Sequence, residues 1–180
     1  MHNQKINASA KEICYIAVCV AIMAVCSVIT IPLPGGVPVT LQTFAVFLCV
    51  GLLGTMRATV AVTVYILLGM IGVPIFSGFG SGVGVILGPT GGYIIGFIFT
   101  ALIVGLMTEK LGKKLWVEIV SMILGLAVCY AFGTVWFMFQ MKMGLVESLL
   151  LCVVPYLIAD ALKIAFSAVL VNRLDKVIKL

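Results

Sequence analysis

PYLIADALKIAF, Pro155–Phe166, sets an aspartate and a lysine three residues apart, Asp160 and Lys163, inside an apolar run from Leu149 to Val171. A membrane-crossing helix needs about 20 such residues, in a range of roughly 17–25, so the run is long enough to span. Read as a helix, the i,i+3 spacing puts both side chains on one face, close enough to touch. Each charge costs roughly 2.5–3.5 kcal/mol at a bilayer centre on an insertion scale, which makes the pair a functional site by default. The structural alternative is a mutually neutralised pair that locks the helix to its neighbours, although pairing seldom makes buried charges a net stabiliser. Pro155 frees a backbone carbonyl one turn earlier and predicts a kink.

The rest of the chain agrees with a membrane reading. It has 180 residues, 63% hydrophobic and 9% charged, with mean hydropathy +1.32. Soluble domains average roughly 45–50% apolar and about 25% charged. Six apolar runs predict an all-α fold of six transmembrane helices, at about 13–31, 39–56, 58–73, 91–108, 115–140 and 148–171, forming one integral membrane domain over 1–180. Unbroken runs rather than alternation exclude a β-barrel. The first run is too long for a cleavable signal peptide, and no small-residue cleavage site follows it. The six cysteines (Cys14, Cys19, Cys26, Cys49, Cys129, Cys152) form no CxxC or Cys/His cluster, and His2 is the sole histidine. They are expected to be small buried hydrophobes, not metal ligands or disulfides.

Charge sets the orientation. Lys5 and Lys11 precede the first run, and Arg57 separates the second from the third. Lys110, Lys113 and Lys114 separate the fourth from the fifth; Arg173, Lys176 and Lys179 follow the sixth. With six spans these nine of eleven Lys+Arg share one face, which the positive-inside rule assigns to the cytoplasm together with both termini. The net charge of +5 therefore reflects orientation and not nucleic-acid binding. The Pro32–Pro38 loop, the Gly-rich stretch between helices three and four, and the Met141–Glu147 loop then lie on the outer face.

That Gly-rich stretch reads PIFSGFGSGVGVILGPTGGY, Pro74–Tyr93. It fails the phosphate-loop pattern, since the only Gly-Lys is Gly112-Lys113, followed by Lys114 and preceded by Met107 where the first glycine belongs. The dinucleotide pattern fails at Val85. What remains is backbone free to adopt positive φ, either as a binding lid or as a tight packing loop. Gln42 and Thr40, near the outer end of the second helix, either meet a ligand or bond across helices. Tyr93 is a belt anchor or a ligand contact. Ala17 and Ala21 on the first helix have the small-xxx-small spacing of a close helix contact, within the chain or with another membrane protein. No nucleophile–base pair is evident, so the chain is not expected to be an enzyme.

GVPVTLQTFAVFLCVGLLG (Gly36–Gly54), the Pro74–Tyr93 loop and PYLIADALK (Pro155–Lys163) resemble the BioY family, over nearly the whole chain. These are substrate-binding S components of energy-coupling-factor (ECF) biotin transporters. The resemblance implies a multi-pass protein of a bacterial or archaeal plasma membrane, surrounded by lipid, that binds biotin from outside. Its implied partners are a transmembrane coupling protein and two ATP-binding ATPases, with biotin as cargo and no cofactor. It maps coupling-protein contact onto Ala17 and Ala21. It maps ligand binding onto Asp160, Lys163, Gln42, Tyr93 and the loop residues Ser77, Gly78, Phe79, Gly80, Ser81 and Gly82. Ionised Asp160 would accept from the ureido N–H, Lys163 would donate to its carbonyl, and Phe79 and Tyr93 would cover the bicycle. Some members carry an asparagine in the loop and an arginine after the tyrosine, where this chain has Gly80 and Ile94. The resemblance thus implies another donor for the carboxylate, among loop N–H groups or Ser81. The alternatives are an S component for a different vitamin, or a stand-alone ion-coupled carrier using Asp160 and Lys163. A carrier of the second kind usually has more intramembrane titratable groups and inverted repeats.

Overall fold

The computed structural model describes residues 10–32 and 37–177. His2, Lys5, Lys179, residues 33–36 of the first loop and the side chain of Lys176 lie outside the described residues. The chain is mostly helical. In order come α1 (Ala10–Val28), α2 (Gln42–Leu53), α3 (Thr55–Met70), α4 (Val83–Ile86), α5 (Gly91–Leu111), α6 (Leu115–Met141), α7 (Leu145–Cys152) and α8 (Leu157–Val177). Two short strands, β1 (Thr30–Ile31) and β2 (Val39–Thr40), pair antiparallel across the first loop. α1, α5, α6 and the α7–α8 unit are each long and apolar enough to cross a membrane; α2 and α3 are apolar but shorter. Continuous helix is what such a sequence must form where water is absent, because it satisfies every backbone donor and acceptor within the segment.

The breaks have local causes. α2 turns into α3 through one residue, Gly54, at φ +77, a conformation that costs glycine little. The last apolar run is divided: α7 ends at Cys152, a 3-10 turn covers Val154–Tyr156, and α8 starts at Leu157. Pro155 lies in that turn and donates no N–H, so the expected kink becomes a full interruption. The Gly-rich stretch also folds further than a plain loop, holding a turn at Ser77–Phe79 and the single-turn α4.

Polar contacts define two ends of the bundle. At one end Arg57 pairs with Glu12 at 2.9 Å, the Thr55 N–H donates to Glu109 at 2.8 Å, and Lys113 pairs with Asp175 at 2.6 Å. At the other end Ser77 donates to Thr30, the Trp136 Nε1–H to the Gly88 carbonyl, and the Tyr156 hydroxyl to the Val37 carbonyl. Two clusters of buried apolar side chains fill the bundle. One joins α1, α2, α3, α5 and α6 around Tyr65, Phe76 and Phe137; the other joins α2, α5, α6 and α8 around Phe47, Met122 and Val171.

α5 and α6 approach closely through small residues. A Cβ at Gly133 would lie 2.3 Å from the Tyr93 ring, and the clash cannot be relieved without moving that ring. Gly133→Ala is therefore expected to destabilise by about 1–3 kcal/mol, the usual cost of overpacking. Gly84→Ala, where a Cβ meets nothing within 4 Å, is the control and stays near wild type. Thermal unfolding in detergent compares the two.

Candidate functional site

Between the two apolar clusters lies a cavity of about 300 Å³, at the small end of the roughly 300–1,000 Å³ typical of ligand sites. Its walls come from the first turn of α2 (Gln42, Thr43), from α5 (Tyr93, Ile94, Phe97), from α6 (Leu126, Cys129, Tyr130) and from α8 (Asp160, Lys163). Val37, Thr40, Ser77, Thr90 and Tyr156 complete it toward the Gly-rich end.

Asp160 and Lys163 face into this cavity, 3% and 8% exposed. Lys163 Nζ lies 2.7 Å from Asp160 Oδ1. Thr43 bridges the pair, its hydroxyl donating to Asp160 at 3.2 Å while accepting from Lys163 at 3.3 Å. The Tyr130 hydroxyl donates to Asp160 Oδ2. A carboxylate has about four lone-pair sites and an ammonium three protons. Three donors reach Asp160, two of them on Oδ1 and one on Oδ2, and two acceptors reach Lys163, so one acceptor site on Oδ2 and one ammonium proton remain. The pair is held in place by Thr43 of α2 and Tyr130 of α6. It offers a neutral ligand an adjacent acceptor and donor, both charge-assisted and so roughly twice as strong as uncharged ones.

Gln42 also lines the cavity, but its amide is largely engaged. Nε2 donates to the Tyr65 hydroxyl at 2.7 Å, and Oε1 accepts from Thr40 at 3.1 Å. Tyr65 in turn donates to the Ile75 carbonyl at 2.7 Å, tying this wall to the base of the Gly-rich stretch. Tyr93 presents its ring, while its hydroxyl bonds Thr134 at 3.2 Å. Ser77 lines the cavity and donates to Thr30 Oγ1 at 3.2 Å.

The other expected loop residues stand apart. Gly78, Phe79, Gly80, Ser81 and Gly82 are not among the lining residues, and Phe79 is 66% exposed. The loop's buried anchor is Phe76, fully enclosed, edge-on to Tyr65 with ring centroids 5.6 Å apart. Phe79 sits at φ +61, an uncommon region for a bulky side chain. Of the cysteines, Cys129 and Cys152 belong to the cavity wall, and Cys14 is exposed where a buried residue was expected. All six are free, and among the described residues no cluster could hold a metal.

Sequence reasoning missed Thr43, Thr90, Tyr130 and Tyr156. Tyr130 carried a faint signal, a phenol in the middle of an apolar helix, where a buried hydroxyl needs a partner. Thr43 lies beside Gln42, yet nothing local says that it meets a residue more than a hundred positions away.

Residues 1–180, the whole chain, match the model of the BioY family. The chain belongs to the BioY family. Among its BioY relatives, the biotin transporter BioY of Thermotoga maritima is 39% identical, covering 87% of this chain and 90% of that one. The probable biotin transporter BioY of Pyrococcus horikoshii is 36% identical, covering 92% and 97%. The crystal structure of the S component for biotin from an ECF-type ABC transporter matches with a TM-score of 0.86 at 30% identity. That match covers 98% of this chain and 95% of that one. BioY membership thus extends over sequence and fold alike.

Proposed function

We propose that the chain is the biotin-binding S component of an ECF-type importer and has no catalytic activity of its own. The observation that carries this is the buried Asp160–Lys163 pair in the wall of the cavity, with one acceptor site and one proton unused, in a chain that matches BioY throughout. A ureido ring offers N–H donors beside a carbonyl acceptor, the complement of what the pair leaves open. Tyr93, Phe97 and Leu126 provide an apolar wall for the thioether ring.

The proposed topology is six spans: α1, α2, α3, α5, α6 and the α7–α8 unit. Both termini lie in the cytoplasm and the Gly-rich stretch faces outward, in a bacterial or archaeal plasma membrane. The clustering of Arg57, Glu12, Lys113 and Asp175 at one end, with the cavity toward the other, supports this orientation. At about 1.5 Å per residue, the 12-residue α2 reaches only about 18 Å. The depth that it leaves free is where the cavity opens, beneath the β1–β2 pair and the loop.

The proposed partners are a transmembrane coupling protein and two ATPases. Ala17 and Ala21 are exposed and line an almost wholly apolar groove between α1 and α3, with Val60, Val64 and Leu68 on its far wall. That is the surface assigned to the coupling protein.

A thermal-shift panel of vitamins on the purified chain tests the ligand. A ligand at about 100 times its Kd stabilises by about 2.7 kcal/mol. Biotin alone is expected to raise the unfolding temperature; a shift with another vitamin and none with biotin contradicts the assignment.

A further inference from the structure

The charges that line the cavity balance. Asp160 is its only anion and Lys163 its only cation among the described residues, and the two lie 2.7 Å apart. Lys163 is the seventh residue of α8, about 9 Å along the axis from the helix start. The pair therefore sits deep, and the tail of a ligand seated on it runs toward the Gly-rich end. Reversing the ligand would set an acceptor-only carboxylate against the pair, satisfying Lys163 but leaving the acceptor site of Asp160 without a donor.

At the Gly-rich end the polar lining groups beyond the Gln42 network are uncharged hydroxyls, above all Ser77 and Thr90. Thr90 is the N-cap residue of α5, yet its side chain makes no capping hydrogen bond. Its hydroxyl is free to meet a ligand. Lys142, the nearest basic residue in sequence to this end of α6, is exposed and outside the lining. A hydroxyl both donates and accepts, so it serves a carboxylate oxygen, an amide carbonyl or an amide N–H alike. A dedicated cation would instead favour the ionised tail, since charge-assisted bonds are roughly twice as strong.

We propose that this cavity recognises the ureido bicycle and is indifferent to the charge of the tail, with Thr90 and Ser77 as its tail contacts. The chain then binds uncharged-tail derivatives, such as the carboxamide and the methyl ester of biotin, about as well as the free acid. This rests on the biotin reading above and adds the class of ligands that the same site accepts.

Competition against labelled biotin on the purified full chain tests it. The carboxamide and the methyl ester are expected to compete within tenfold of biotin. A loss of more than tenfold, with biotin itself bound tightly, overturns tail indifference and leaves the biotin reading standing. Absence of biotin binding overturns the reading itself. Thr90→Lys supplies the missing cation and is expected to raise the preference for biotin over its carboxamide at least tenfold. An unchanged preference in that folded variant overturns the placement of the tail at Thr90.

Discussion

Asp160→Asn is expected to weaken biotin binding at least tenfold and to destabilise the empty protein. The substitution keeps the shape and some hydrogen bonding but removes the charge facing Lys163, which is 8% exposed. Removing one partner of a buried ion pair typically costs about 3–5 kcal/mol, because the survivor is left uncompensated. Lys163→Ala behaves differently. Asp160 still receives the hydroxyls of Thr43 and Tyr130, so the empty protein loses less stability, while binding falls at least tenfold through the lost donor. The double variant Asp160→Asn/Lys163→Met separates the two effects. Replacing a buried pair by uncharged groups of similar volume is often neutral for folding, so stability recovers and binding does not. Thermal unfolding and equilibrium binding on the same preparations read both. Recovery of binding together with stability shows that the pair is only a structural lock.

Ala17→Trp or Ala21→Trp is expected to reduce biotin uptake by whole cells at least tenfold while leaving binding to the purified chain within about twofold. Both alanines are exposed in the α1–α3 groove, on the opposite side of α1 from the buried Cys19 and Met23. An indole there fills the approach that a partner helix needs, since close helix contact in membranes depends on small residues. The groove shares no lining residue with the cavity. Uptake at the wild-type rate removes this surface from the transport cycle.

The apolar runs were legible because helix length and hydrophobicity answer to one local constraint, the thickness of the bilayer. Asp160 and Lys163 were legible for the converse reason: charge in such a run is costly enough to stand out. The division at Pro155 was foreshadowed by the missing N–H, but the hydrogen bond from Tyr156 in that turn to the Val37 carbonyl, 119 positions away, had no local signal. α8 continues to Val177, beyond the apolar run, and there Asp175 pairs with Lys113, a tertiary contact with no local signature. The tail-end contacts were not legible. Glycine density in 78–82 suggested backbone that touches a ligand, whereas Phe76 anchors the loop and Ser77 and Thr90 face the cavity. Thr43 and Tyr130 became site residues only when α2 and α6 were brought against α8, which no periodicity encodes.

The central claim is that this chain by itself binds biotin through the Asp160–Lys163 pair. Equilibrium binding of labelled biotin to the purified full chain in detergent, with Asp160→Asn beside it, tests that most directly. Saturable binding of one biotin per chain, displaced by unlabelled biotin and weakened at least tenfold by the substitution, is the predicted result. Folded wild-type protein that binds no biotin, or that binds it equally well with Asn at position 160, would contradict the account.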